Sequence, residues 1–336
     1  VDGFLNLYKS RDWTSHDCVA KVRRILHQKK VGHGGTLDPM ATGVLPIALG
    51  RATRLIQYLP SDKAYTATVR FGLTTTTDDI EGEILTTRST HALTRDAAIA
   101  AIPAFLGIIQ QFPPKYSAIQ IDGQRLYDLA RSGIDVDVPV RTVTVTAIDI
   151  GAWREGDQPE LDLTIACGAG TYIRAIARDL GEAVGTGATL AKLERIRSSG
   201  LDLASSVTLE DLTTVVETDA FTPIAPQVAL AGLPSITIEG EIAQRWRLGQ
   251  TVAIDPMINP TLNPTLDPTI SPIADSGKSD ATGANLSLKT STTTSSIERI
   301  VCVNDAAGTF LGMGRVLRSE RSSEMSLSPK MVYHPA

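Results

Sequence analysis

Apolar positions along this chain repeat with two periods, and the changes between them mark its elements. Phe4 to Tyr8 reads as a short strand. Thr14 and Asp17 then stand three residues apart like a capping box, and Val19, Val22, Ile25 and Leu26 follow at helical spacing. Tyr65 to Phe71 returns to strand character, Asp78 to Gly82 has the composition of a turn, and Thr94 to Leu106 is helical in pattern but interrupted by Pro103. Leu161 to Cys167 alternates apolar and polar residues, which predicts a strand buried on one face. Gly168-Ala-Gly170 breaks it, and a helix with Ile173, Ile176, Ala177 and Leu180 inward is expected next.

Two stretches depart from this regularity. Residues 113–138 carry turn signals at Pro113-Pro114 and Asp122-Gly123 and a short helical pattern with Arg125, Leu126, Leu129 and Arg131, an excursion from the sheet. Residues 256–296 begin with a four-residue repeat, NPTL-NPTL-DPTI-SPI, from Asn259 to Ile273, and run on into Ser, Thr, Gly and Asp. Recurrent proline excludes helix and ladder, and the remainder has too little apolar content to fold alone, so a disordered low-complexity insertion is expected. It interrupts a β-rich C-terminal unit beginning near residue 231. There Ile236 to Ile238, Gly249 to Val252 and Ile300 to Val303 read as strands, Asp305 to Gly308 as a turn and Phe310 to Val316 as a last strand. The expected division is therefore 1–230 and 231–336.

Composition is that of an ordinary globular protein, with 42% hydrophobic and 21% charged residues. No apolar run approaches the length of a membrane span, and neither a signal-peptide pattern nor a membrane partner is expected. Cys18, Cys167 and Cys302 are widely separated, which argues against disulfides and a thiolate zinc site and for a reducing, cytoplasmic location. The net charge of −5 is unevenly spread. Residues 1–63 hold ten basic and five acidic side chains, about +5, and leave about −10 for the rest. Arg23, Arg24 and Lys30, off the apolar stripe of their helix, belong to this basic part, which is suited to attract a phosphate backbone.

The candidate chemistry lies in the same part. Val31 to Leu55 reads VGHGGTLDPMATGVLPIALGRATRL, with Asp38 its one acidic residue. Gly32, Gly34 and Gly35 permit positive φ and close approach, and Pro39 pushes Asp38 out of the helical region. A carboxylate is thus held on a stiff turn among apolar neighbours, which presents a reactive group but also builds an ordinary turn. Two nucleotide-binding patterns fail. Asp275-Ser-Gly-Lys-Ser279 has Pro272 where a P-loop requires its first glycine, and Leu37 replaces the third glycine of a dinucleotide fingerprint begun by Gly32-His-Gly34.

The whole run from Val31 to Leu55, including Gly-Thr-Leu-Asp-Pro and Gly-Arg-Ala-Thr-Arg-Leu, resembles the catalytic motif of the TruB-type tRNA pseudouridine synthases, and the likeness continues through most of the first 230 residues. The resemblance implies an α+β fold: a pseudouridine-synthase-like catalytic domain on a mainly antiparallel sheet with flanking helices, and a small PUA-like, RNA-binding C-terminal domain. It implies isomerisation of the uridine at position 55 in the T-loop of tRNA, with Asp38 catalytic, and makes residues 113–138 a thumb that closes on the stem-loop.

Three further positions match and make physical sense beside Asp38. Arg174, in Gly-Thr-Tyr-Ile-Arg, sits in the first turn of a helix, where a cation opposes the dipole. An ion pair with Asp38 would compensate it and keep the carboxylate charged. Tyr65 matches the family's active-site tyrosine, offering a stacking face and a hydroxyl for proton transfer. Leu193, in Thr-Leu-Ala-Lys-Leu, matches the apolar residue on the other side of the uracil. His33, Tyr172 and Lys9 are supporting candidates for substrate binding; Ser10 stands after Lys9 where the family usually has proline.

Uridine isomerisation involves neither redox change nor phosphate transfer, so no cofactor or metal is expected. The expected partner is the T-stem-loop of tRNA, bound by a monomer without guide RNA. An RNA-guided, dyskerin-type synthase and a non-catalytic RNA-binding or folding module are the alternatives.

Overall fold

The computed structural model describes residues 1–114, 116, 120–121, 124–125, 138–255, 298–318 and 325–334. The excursion expected at 113–138 lies mostly outside the described residues, and the insertion expected at 256–296 lies entirely outside them. Two units separate, Val1–Ala225 and Pro226–Ala336.

In chain order the first unit contains β1 (Gly3–Lys9), α1 (Ser15–Ile25), β2 (Val31–His33), β3 (Thr42–Leu49), β4 (Lys63–Phe71), β5 (Leu73–Thr75) and β6 (Ile84–Thr87). It continues through α2 (Arg95–Ala101), β7 (Gly107–Gln111), β8 (Gln120–Ile121), β9 (Gln124–Arg125), β10 (Arg141–Arg154) and β11 (Glu160–Cys167). The elements α3 (Ile173–Ala183), β12 (Ala188–Ser198), β13 (Leu201–Asp202) and α4 (Leu209–Glu217) complete it. The main sheet has the order β1-β3-β12-β4-β11-β10-β7, with β2 added to β3 and β13 to β12. Its ladders are antiparallel except where β3 and β12 run parallel.

Period-two alternation decides which face is covered. Tyr65, Ala67, Val69 and Phe71 of β4 join Leu161, Leu163, Ile165 and Cys167 of β11 in one core cluster. Ile173, Ile176, Ala177 and Leu180 of α3 pack on that face, as do Ala98 of α2 and Ile102. The opposite face of the same strands is polar: Asp162 accepts from Thr68 at 2.7 Å and pairs with Arg154 at 2.6 Å, and Arg70 pairs with Glu160 at 2.7 Å. Helix α1 opens on a complete capping box, Thr14 and Asp17 each bonding the other's backbone N–H. It buries Cys18, Val19 and Val22 against Leu5, Leu7, Leu45 and Ile47.

The parallel contact pairs Thr42 with Glu194 and Gly43 with Arg195 and imposes a glycine. Gly43 has φ +102°, and a β-carbon there would stand 2.3 Å from the Arg195 carbonyl oxygen. Gly43→Ala combines backbone strain with a backbone clash, so a loss of about 3 kcal/mol or more is expected in urea unfolding.

In the second unit α5 (Pro226–Ala229), β14 (Ser235–Thr237), α6 (Gly240–Arg247), β15 (Val252–Ile254), β16 (Glu298–Asn304), β17 (Phe310–Arg318) and β18 (Met325–Val332) build a sheet ordered β14-β16-β17-β18-β15. Two details of the sequence reading are corrected here. Gly249 does not start a strand: it takes φ +84° and, with Gln250, closes α6 through bonds from Gly249 N to Trp246 O (2.9 Å) and Gln250 N to Arg245 O (3.1 Å). Nor is β17 the last strand, since β18 lies between it and β15. Trp246 of α6, fully buried, packs with Ile236, Val301, Val303 and Leu327.

Candidate active site

Asp38 sits in the loop from β2 to β3, which is fastened from both sides. Leu37 exchanges hydrogen bonds with the Ser15 hydroxyl at 2.9 and 3.2 Å, and the Pro39 carbonyl accepts from Asp12 N at 2.9 Å. Leu37, Met40 and Ala41 are buried in the core. The carboxylate itself stays partly open, with its side chain 36% exposed.

Arg174 reaches it from the first turn of α3. Its Nη2 lies 2.9 Å from Asp38 Oδ2, the ion pair the sequence reading anticipated. The same guanidinium donates to the carbonyls of Tyr116 and Thr77, each at 3.0 Å. Its Nη1 also stands 3.4 Å from Asp79 Oδ2. Asp79 escaped the sequence reading. It lies in the turn before β6, buried, where the Thr77 hydroxyl (2.5 Å) and Glu81 N (3.1 Å) both donate to its other oxygen. One turn along α3, Arg178 pairs with Asp78 at 2.8 Å and donates to the Phe112 carbonyl at 2.9 Å, so the helix clamps the Asp78-Asp79 turn with two arginines. The usable signal was the acidic doublet at a turn, but its partner is about a hundred residues away.

Desolvation is the largest influence on Asp38 and raises its pKa above the ordinary carboxylate value; Arg174 pulls it back and Asp79 pushes it up again. Arg174 and Asp79 have side chains only 6% and 5% exposed, so the pair is an internal charge arrangement with Asp38 at its open end.

Tyr65 and Leu193 lie in the same core cluster as Leu37 and Met40. Their strands pair antiparallel, with Leu193 opposite Ala67 and Arg195 opposite Tyr65. Arg195, also missed, is fully buried and donates to the carbonyls of Val44 (2.7 Å), Gly35 (3.0 Å) and Thr36 (3.3 Å), tying β12 to the loop that carries Asp38. Its guanidinium is also near enough to the Tyr65 phenol, opposite it in the ladder, to act on it electrostatically. Burial raises the phenol's pKa and Arg195 opposes the rise. Arg195 follows Leu193 by two residues, so an arginine on the apolar face of a strand was the readable sign.

The supporting candidates divide. His33 ends β2 with its ring edge-on to His16 at 5.4 Å, and burial lowers its pKa, with His16 and Arg195 acting in the same direction. Tyr172 stands at the start of α3, its backbone bracketed by Gln111, which accepts at 3.0 Å and donates at 3.3 Å. Lys9 is fully buried, and its ammonium donates to the carbonyls of Trp13 (2.7 Å), Ser10 (3.0 Å) and Pro39 (3.2 Å). It braces the Asp38 turn through the Pro39 carbonyl, burial lowers its pKa to about 8, and its charge acts to lower the pKa of Asp38. Among the described residues no group of His, Cys, Asp and Glu is arranged to hold a metal.

The site thus joins a partly exposed carboxylate, a buried arginine shared with a second, buried carboxylate, and a neighbouring core that includes an aromatic ring. Comparison with known proteins gives the class as pseudouridine synthase, an isomerase. The family model described as TruB family pseudouridylate synthase, N-terminal domain, matches residues 23–173, and that described as tRNA pseudouridylate synthase B C-terminal domain matches 174–226. The chain is 58% identical over 255 residues to the tRNA pseudouridine synthase B of Nostoc sp., covering 76% of this chain and 87% of that protein. Identity to the Synechocystis sp. protein of the same name is 54% over 253 residues, 75% of this chain and 86% of that one. The chain belongs to the TruB family. Its fold resembles that in the crystal structure of a Cbf5-Nop10-Gar1 complex, with TM-score 0.68 and 24% identity over 99% of this chain and 85% of that one.

Proposed function

We propose that this enzyme converts the uridine at position 55 in the T-loop of tRNA to pseudouridine, in the cytoplasm and without a guide RNA, with Asp38 as its catalytic residue. The observation that carries this reading is the Asp38–Arg174 ion pair at 2.9 Å, with Leu37 and Met40 of the same turn packed in one cluster with Tyr65 and Leu193. The names of the relatives, tRNA pseudouridine synthase B, support tRNA as substrate.

The reaction breaks the bond from ribose C1′ to uracil N1, turns the free base and joins C1′ to C5, whose proton is then lost. A uridine in a folded loop must first leave its stack. Tyr65 and Leu193 then hold the uracil from its two faces while it turns. Asp38 serves either by attacking C1′ or by taking a ribose proton, and both routes require it ionised. Arg174 supplies that condition by favouring the carboxylate against desolvation. The second unit, with its own core and sheet, adds RNA contact area.

The test is a map of pseudouridine over an unmodified tRNA transcript incubated with the purified protein alone. Product at the T-loop uridine is expected. Binding without product supports the RNA-binding module, and turnover only with an added guide supports the dyskerin-type enzyme.

A further inference from the structure

Two cations face the catalytic loop beyond those the isomerisation uses. Lys63 opens β4 two residues before Tyr65, on the same face of the strand, and Arg195 lies opposite Tyr65 on β12. Both converge on Gly35, three residues before Asp38. A β-carbon at Gly35 would stand 3.6 Å from Arg195 Nη1 and 3.7 Å from Lys63 Nζ. Gly35 takes φ +147°, so the loop passes beneath the two cations with no side chain between.

The two are held differently. Arg195 is sealed in, its guanidinium donating to the carbonyls of Val44, Thr36 and Gly35. Lys63 is half-buried, and no carboxylate among the described residues stands within ion-pair reach of it. Its neighbour Asp62 pairs with Arg197 at 3.3 Å. Cys167, opposite Lys63 in the ladder, is a thiol whose pKa burial raises, so it stays neutral. Burial lowers the pKa of Lys63 itself, and Arg195 adds to the fall. A partly desolvated ammonium beside a second cation is an unfavourable arrangement that an anion would relieve.

We infer that Lys63 is a phosphodiester-binding residue: its ammonium, backed by Arg195 over the bare backbone of Gly35, takes a phosphate of the RNA strand beside the extruded uridine. Three residues of chain separate Gly35 from Asp38, at most about 10 Å, which places the anion next to the reacting nucleotide. Lysine serves as the point charge and the glycine leaves room for the strand. The inference deepens the proposed function and rests on RNA being the substrate.

The experiment measures the affinity of the full-length protein for a synthetic T-arm stem-loop over a series of KCl concentrations, for wild type, Lys63→Met and Lys63→Arg. Lys63→Met is expected to weaken binding about tenfold at low salt and to make the slope of log Kd against log[salt] shallower by about 0.7, one phosphate's worth in single-stranded RNA. Lys63→Arg is expected to restore the slope. A set of stem-loops carrying one uncharged methylphosphonate each then locates the contact. At one linkage the neutral group weakens wild type and leaves Lys63→Met unaffected. Equal salt slopes for all three proteins, or methylphosphonate effects of the same size in wild type and Lys63→Met, would overturn the assignment, as would a loss confined to turnover at saturating RNA. Lys63→Gln repeats the comparison if the Met variant does not fold. Pseudouridine mapped in the same stem-loop keeps the two readings apart: binding without product sinks the proposed activity, while the slopes still decide Lys63.

Discussion

Asp38→Asn is expected to bind tRNA as wild type does and to form no measurable pseudouridine, a loss of roughly 10⁴-fold or more in single-turnover rate. The amide keeps the shape of the side chain and removes both nucleophile and base. The same substitution is expected to stabilise the protein. The direction of the Asp38 shift is upward even with the pull of Arg174 included, so this environment favours the neutral side chain. Between the ordinary carboxylate pKa of 3.8 and the higher folded value, the native state binds more protons than the unfolded chain. Stability therefore falls as pH rises through that window, and Asn removes the fall. Thermal unfolding at pH 7 should place Asp38→Asn above wild type, with the gap closing toward pH 4. A variant melting below wild type at pH 7 would contradict this. In the wild type the acid limb of kcat/KM should lie above the range of an ordinary aspartate, because both proposed roles of Asp38 need the ionised form.

Arg174→Met has the opposite sign on stability. It leaves Asp38 and Asp79 facing each other without the cation between them, and Asp79 is buried. Removing one partner of a buried charge pair costs about 3–5 kcal/mol, which urea unfolding would show. Activity should fall by roughly 10³-fold, because without Arg174 the main influence favouring the ionised form of Asp38 is gone and its pKa moves further up. Arg174→Lys tests geometry apart from charge. An ammonium cannot span Asp38, Asp79 and the carbonyls of Tyr116 and Thr77 with a planar fork, so only partial rescue is expected. Full rescue would mean that charge alone matters. The two variants together read the site: the reactive carboxylate is held at a cost in stability, and Arg174 limits that cost.

The readable parts of the site and fold share a physical origin. Thr14 with Asp17, the alternation from Leu161 to Cys167 and the inward stripe of α3 are local: each is set by backbone geometry and side-chain period over a few residues. Asp38 was legible because glycines and a proline constrain its turn, and Tyr65, Arg174 and Leu193 because their short motifs resemble those of a known family. Gly249 was misread because a helix-closing glycine and a strand-leading one look alike until the preceding helix is seen.

Chain chemistry alone marked β1, α1, β4, β11 and α3, the inward faces of α1, β11 and α3, and the carboxylate that stands on a stiff turn, since these depend on near neighbours. Tertiary structure decided the partners. Asp79 meets Arg174 because the turn before β6 packs on α3, Arg195 meets Tyr65 because β12 pairs with β4, and Lys9 turns inward because the carbonyls of Ser10, Trp13 and Pro39 converge on its ammonium. Gly43 is required only because β3 meets β12 there in parallel. Such contacts join residues far apart in the chain, and their energies depend on burial and charge in the folded site, which no local pattern records.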